Sequence, residues 1–438
     1  MRKADSQTSK LFQLVSPYAP AGDQASVIDG ITGSILGGRA EQTILGVTGS
    51  GKTYMMAAIA ANLQRPTLVI AHNKTLAAQL AEEFSRFFPN NAVHYFVSYY
   101  DYYQPESYMP ASDTYIEKQT VINENIERLR NAATQSLLTR RDTLIVASVS
   151  CIYGLGNPED FNALALLMQK GESYKMDKVA RRLVDLQFSR NDFQLKRGTF
   201  VIKGQTIELV PASEEVGYRF SFWGEELEKI ATFDLLSNKE IDEMDEYTIY
   251  PANPYVTTQD KVKRAISLIR GDMEKRIEWF QSRERYIEAQ RVKERVTNDL
   301  EMLETTGFVS GIENYSSYFD GRGEGEPPST LLDYFPDDAL LFVDESHITL
   351  PQIGAMYYGD RSRKASLIDY GFRLPTALNN RPLKFDEFFP KFDQKVYVSA
   401  TPGKFELGHG PVPVSAGRME DQYRAELKKV EEDYLGRI

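Results

Sequence analysis

The run Gly46-Val47-Thr48-Gly49-Ser50-Gly51-Lys52-Thr53 constrains this chain more than any other stretch. It fits G-x-x-x-x-G-K-[ST], the phosphate-binding loop of nucleoside triphosphatases. Glycines let the backbone wrap an anion, and the amides and helix N-terminus that follow favour its charge. Such a loop needs a strand before it and a helix after it. Thr43-Ile44-Leu45 has the character of a buried strand, and Tyr54 to Leu63 that of a helix. A chance glycine turn would lack that setting. Gly46, Thr48, Gly49, Ser50 and Gly51 are therefore expected to line the phosphates. Lys52 should reach the β- and γ-phosphates, and the Thr53 hydroxyl should ligate Mg²⁺. ATP and Mg²⁺ are the cofactors this predicts.

Further apolar runs resemble strands buried on both faces: Thr43 to Val47, Thr67 to Ala71, Thr143 to Ser148, Leu340 to Val343 and Lys395 to Ser399. Helical stretches such as Thr75 to Phe87 alternate with them. The pattern predicts an α/β fold with a parallel sheet flanked by helices. A chain of 438 residues has room for roughly three domains. Two insertions interrupt the sheet. Between Asn157 and Tyr250 the pattern becomes that of a small α+β domain. There, Thr199 to Val210 reads as two strands around a Lys203-Gly204-Gln205 turn, and Tyr218 to Trp223 as another strand. From Thr258 to Leu303 the chain is charged and helical, with Ile266, Ile269, Met273, Ile277, Phe280 and Ile287 as its apolar stripe. Gly321 to Pro328 reads as a linker, as does Gly408 to Val414. Met419 to Ile438 reads as a solvated terminal helix.

Composition excludes several classes. No run approaches the roughly 18 apolar residues of a membrane span, and no secretory signal follows Met1, so a cytoplasmic protein without membrane contact is expected. The single cysteine, Cys151, reads as a buried structural thiol, and with four scattered histidines a structural zinc site is not expected. The net charge of −11 argues against a chain coated in nucleic-acid-binding surface but leaves room for a local groove.

Leu341-Phe342-Val343-Asp344-Glu345-Ser346-His347 reads as a strand ending in two acids, at the sheet edge where ligands bind in such folds. Asp344 is expected to hold Mg²⁺ through water, and Glu345 to orient or deprotonate the attacking water. With Lys52 they form the expected catalytic set. Ser399-Ala400-Thr401 follows a further strand. Near the N-terminus, Phe12 to Tyr18 and Gly22-Asp23-Gln24 resemble the adenine-recognition segment of superfamily 2 helicases, which implies that Tyr18 stacks on the base and the Gln24 amide reads its edge; taken singly, Tyr18 reads equally as a core aromatic.

The segment Phe96 to Pro110 contains Tyr99-Tyr100 and Tyr102-Tyr103. Adjacent tyrosines put rings on both faces of a strand. Asp101, Gln104 and Glu106 are poor choices for full burial. Exposed rings suit stacking on unpaired bases, at roughly 1–3 kcal/mol each. Tyr115 and Lys118 fall on the return limb.

The phosphate loop, the Asp344 box and Ser399–Thr401 resemble the first, RecA-like motor domain of superfamily 2 helicases. With Ala71-His72-Asn73-Lys74-Thr75-Leu76, the tyrosine segment and Ser148 to Gly156, the chain resembles the UvrB family of bacterial nucleotide excision repair, from about Phe12 to Leu407. The resemblance implies a motor domain over residues 1–93, 121–156 and 329–407. It implies a DNA-inserting β-hairpin over 94–120 and a UvrA-binding domain over 157–250. A helical insertion over 251–328 would clamp one strand with the hairpin, leaving 408–438 as linker and tail. Tyr99, Tyr100, Tyr102 and Tyr103 match DNA-contacting residues at the hairpin base. Tyr108 and Tyr115 match aromatics toward the tip, and Glu106 and Lys118 its polar contacts. Damaged DNA, UvrA and UvrC are the implied partners. Family members continue into a second motor domain that supplies arginines to the γ-phosphate. With the chain ending at Ile438, weak ATP binding and very slow hydrolysis are expected. Two other readings compete: a non-catalytic module that docks UvrA, and an unrelated superfamily 2 translocase. The second leaves the tyrosines unexplained.

Overall fold

The computed structural model describes residues 11–255, 259–307, 309–409 and 414–416. Its centre is a 7-stranded sheet in the spatial order Val414–Ala416, Glu41–Gly46, Gln394–Ser399, Leu340–Asp344, Thr67–Ala71, Thr143–Ser148, Ala92–Phe96. Every pairing in it is parallel. The apolar runs build it because both faces are covered. Successive residues enter different cores: Val69 packs with Ile44, Val146, Phe342 and Val398. Its neighbours Leu68 and Ile70 pack with Ile145, Leu341 and Val343 on the other side. The first core is closed by the helices Gln24–Leu36, Lys52–Leu63 and Lys74–Phe87, the second by parts of the long Ser346–Asp369 helix. Cys151 lies buried in the second core, and burial pushes its thiol up to about 12.

The small α+β domain is present. A 6-stranded sheet carries the Thr199–Lys203/Thr206–Val210 hairpin with Gly204 in the left-handed region at φ 60°. Val179 and Leu183 of the Met176–Asp185 helix pack with Phe200, Leu209 and Phe220. Leu166–Gln169 pairs antiparallel with Glu246–Ile249 near the two ends of the domain. The helical insertion is an antiparallel pair, Gln259–Gln281 and Tyr286–Thr306, around Ile269, Met273, Phe280, Val292, Val296 and Leu300. Ile266 and Ile277 flank this core, but Ile287 is 68% exposed, one residue into the second helix and on its outer side.

The tail departs from expectation where it is described. Gly408 lies in the helix Lys404–His409, and Val414 begins an edge strand paired with Ile44 to Gly46, so neither is linker. Unpaired amides at the sheet edge give that segment a place to bind. Residues 410–413 and the expected helix Met419–Ile438 lie outside the described residues.

Candidate nucleotide site and tyrosine hairpin

The phosphate loop follows its strand as expected, and the helix starts at Lys52 itself. Gly49 and Gly51 take left-handed φ of 82° and 78°. A Cβ at Gly51 would lie 2.5 Å from Gln24 Nε2, so only glycine admits that amide. Gln24 Nε2 donates to the Ser50 carbonyl at 2.8 Å. Its amide thus shapes the loop, a contact the sequence did not indicate. Tyr18 is 71% exposed, which removes the core reading and leaves the ring free to stack. Lys52 Nζ donates to the Gly46 carbonyl at 3.2 Å and lies 3.4 Å from Glu345 Oε1.

Asp344 ends the strand two places from the phosphate-loop strand, with Gln394–Ser399 between them. Burial, then repulsion from Glu345, raises its carboxyl to about 6, and Lys52 pulls the other way. Glu345 turns the chain from strand to helix with φ 42°, a left-handed conformation that is costly for a side-chain-bearing residue. Such strain persists where surrounding structure enforces it, commonly at functional sites. His347 then joins two motifs. Its Nδ1 meets Ser399 Oγ at 2.8 Å, and its Nε2 meets Thr401 Oγ1 at 3.3 Å. Ser346 Oγ donates to the buried Glu406 Oε1 at 2.7 Å. Neither His347 nor Glu406 was singled out from sequence, since both contacts span more than fifty residues.

These residues fit a magnesium nucleotide. Ser50 Oγ is buried without a hydrogen-bond partner, facing a loop of glycines. Asp344 is a buried carboxylate whose ionised form needs a cation. Among the described residues no cluster of three metal ligands occurs. A phosphate-loop site needs none, because phosphates and water complete the magnesium shell.

The tyrosine segment forms a bent hairpin. Tyr100–Gln104 pairs antiparallel with Gln119–Ile122, and Ser107–Met109 with Thr114–Ile116. Its tyrosines divide. Tyr102 and Tyr103 are 50% and 49% exposed. Tyr103 stacks on Tyr100 at 5.1 Å between centroids, and the Tyr99 and Tyr100 hydroxyls meet at 2.9 Å. Burial raises the pKa of Tyr99, Tyr100 and Tyr103, so all stay neutral hydrogen-bonding rings. Lys118 Nζ pairs with Glu313 Oε1 of the helical insertion at 2.7 Å.

Toward the tip the expectation changes. Tyr108 is 7% exposed and packs on Tyr370 and Phe372. Tyr115 stacks on Phe372 at 4.5 Å with an interplanar angle of 8°. Glu106, expected at the surface, is buried between Arg373 and the Tyr115 hydroxyl. These three side chains fasten the hairpin to the rest of the chain rather than facing outward. Arg363 and Ser366 of the Ser346–Asp369 helix hold the Glu106 and Tyr108 carbonyls at 2.7 and 3.1 Å. That helix has 24 residues, about 36 Å of rise, and so links the Asp344 edge to the hairpin.

Comparison with known proteins identifies the family of the chain. Residues 166–255 match the UvrB interaction domain and 260–321 the UvrB third helical domain. Residues 18–147 match the family of the type III restriction enzyme res subunit. The UvrABC system protein B of Nitratidesulfovibrio vulgaris strain DP4 is 54% identical over 397 residues, covering 90% of this chain and 59% of its own length. That of Carboxydothermus hydrogenoformans is 53% identical over 399 residues, 91% of this chain and 60% of its own. That of Clostridium perfringens is 51% identical over 402 residues, 92% of this chain and 61% of its own. The chain belongs to the UvrB family and spans about three-fifths of the length of these curated relatives.

Proposed function

We propose that this chain is a nucleotide excision repair subunit that binds Mg²⁺-ATP, takes lesion-bearing DNA from UvrA and inserts its hairpin between the strands. One observation carries the reading: an exposed tyrosine pair, Tyr102 and Tyr103, on a hairpin whose far end is fastened by Arg373, itself beside Asp299, and by the Asp113–Arg291 pair to the helical insertion. Exposed rings stack on any unpaired base, and the fastened tip holds them in place for a strand to lie against. Lys118 and the Tyr99–Tyr100 pair lie at the base of the hairpin, beside those rings. Gly46 to Thr53 would hold the phosphates, with Thr53 and Asp344 toward Mg²⁺ and Tyr18 against the base. The metal supplies charge neutralisation at the phosphates. Lys52 stabilises the same charge, and Glu345 is placed to accept a proton from water. The domain over 157–250 is read as the UvrA dock, in a cytoplasmic setting, with UvrC acting after verification.

The test is equilibrium binding of lesion duplex with and without UvrA. Tyr102→Ala and Tyr103→Ala should abolish UvrA-dependent loading while leaving the fold intact. Loading equal to that of the parent would remove the hairpin assignment. A second reading, a non-catalytic UvrA-docking module, is favoured by Trp223 and Leu236, 79% and 97% exposed on the 6-stranded domain. UvrA capture without ATP turnover would select it.

A further inference from the structure

The hairpin's tyrosines owe their directions to one extra residue. Tyr100 lies opposite Ile122 and Tyr102 opposite Val121, so Asp101 has no partner on the return strand. That is a β-bulge, two residues set against one. Directly opposed residues share a face, and successive residues alternate between faces. Ile122 and Val121 therefore point to opposite sides, and the bulge carries Tyr102 away from the side of Tyr100. Tyr103, one place further on, returns to that side. The contacts follow this division. Tyr103 stacks on Tyr100, Lys118 Nζ lies 6.0 Å from the Tyr100 ring centre, and Lys118 pairs with Glu313 of the helical insertion. The Tyr102 hydroxyl donates to Gln104 Oε1 at 2.7 Å, two places along on its own face, and its cross-strand neighbour Val121 is 55% exposed. Without the bulge, strict alternation would put Tyr102 beside Tyr100 and turn Tyr103 to the other face.

Asn123 pins the bulge. Its Nδ2 donates to both Asp101 carboxylate oxygens at 3.1 Å. The same side chain caps the Glu124–Thr139 helix, with Oδ1 accepting from the Asn125 and Ile126 amides at 3.1 and 3.0 Å. Its backbone amide donates to the Tyr99 carbonyl at 2.8 Å. Aspartate or serine would cap that helix as well. The separate donor of the amide lets one side chain hold the helix end and the bulge together. Bulges beside functional sites commonly serve to re-aim a side chain.

We propose that Asp101 and Asn123 are positioning residues for DNA. They hold the bulge that gives Tyr103 to the side of Lys118 and Tyr102 to the opposite side, so that a hairpin lying between two strands presents one ring to each. This rests on reading the hairpin as inserted between the strands.

The test is titration of the full chain into a duplex with a bubble and a lesion in one strand, carrying a fluorescent adenine analogue in the bubble of either strand. At saturation, Tyr102→Ala should lose the stacking signal from one strand and Tyr103→Ala that from the other. Asn123→Asp keeps a helix cap but sets two carboxylates against each other. It should weaken binding about five-fold or more while the urea midpoint stays that of the parent. Combining it with Asp101→Asn restores a donor facing an acceptor, and should recover the parent's affinity and both signals. If Asn123→Asp binds like the parent, or if the double variant recovers nothing, the positioning role is overturned. If Tyr102→Ala and Tyr103→Ala silence the same strand, the division between strands is overturned. In these cases a loss of affinity in Tyr103→Ala leaves the hairpin reading standing. If neither tyrosine variant changes affinity or signal, the hairpin reading falls and the proposal with it.

Discussion

Arg373 Nε donates to Glu106 Oε2 at 2.8 Å with the two side chains 5% and 7% exposed. Burial pushes the Glu106 carboxyl up, but Arg373 and the Tyr115 hydroxyl outweigh it and hold it below the usual carboxylate range. Arg373 also lies 3.6 Å from Asp299, so the pair ties the hairpin to the helical insertion. Removing one partner of a buried pair costs about 3–5 kcal/mol, because the other charge stays buried. Glu106→Ala should therefore destabilise the chain by about that amount and expose the hairpin to proteolysis. A folded pKa held down means this stabilisation is present at neutral pH and is lost as pH falls through the depressed value. Urea unfolding at two pH values checks it. A loss under about 1 kcal/mol at pH 7 would show that the latch is incidental.

The tyrosines should separate in mutagenesis. Tyr102→Ala and Tyr103→Ala remove half-exposed rings, so stability should change by about 1 kcal/mol or less. Tyr108→Ala empties a buried aromatic cluster and should cost about 3–5 kcal/mol. DNA affinity measured on the same proteins should fall directly for the first two. For the third it should fall only in step with unfolding of the hairpin. Equal stability losses at all three positions would contradict the division between exposed and anchored rings.

The fold was legible because its signals are local. Strands such as Thr67–Ala71 and Thr143–Ser148 match their apolar runs residue for residue, since burial on both faces demands continuous hydrophobicity. The phosphate loop was legible because strand, glycines and helix are contiguous. Glu106 was misjudged for the opposite reason. A lone glutamate reads as exposed, and its partner Arg373 lies 267 positions away. His347 joining Ser399, and Ser346 joining Glu406, are likewise contacts that no spacing rule announces. Gln24 was linked to the nucleotide from sequence, but its bond to Ser50 shows how a glycine at position 51 makes room for it.

The acid pair predicts a split between binding and stability. Lys52→Ala removes a charged donor and should weaken Mg²⁺-ATP binding about ten-fold or more. Glu345→Gln should retain nucleotide binding and lose whatever hydrolysis the parent shows. Asp344→Asn should lose the magnesium dependence of binding. It should also stabilise the metal-free protein, because a carboxyl raised to about 6 resists ionisation in the folded state. That penalty is absent below the unfolded value of about 3.9, grows as pH rises, and is complete above the folded pKa. The gain should therefore appear at pH 7.5 in chelator and vanish near pH 3.5. Thermal melts with and without Mg²⁺-ATP measure both effects, and a destabilised Asn variant in chelator would refute the account.

His94 gives an acid-sensitivity test away from either site. Burial, then the nearby Arg140, lowers its imidazole to about 4, and Nε2 is buried with no hydrogen-bond partner. The edge strand Ala92–Phe96 therefore holds a neutral ring. In the unfolded chain the same group takes a proton near pH 6.5. Between those values the unfolded state binds more protons, so stability falls as pH drops from 6.5 toward 4. His94→Leu removes that linkage. Comparing urea unfolding at pH 7.5 and 4.5, the parent should lose about 2 kcal/mol more than the variant. The double difference cancels the carboxylates common to both proteins. Parallel losses in parent and variant would show that the folded ring accepts its proton as readily as the unfolded one.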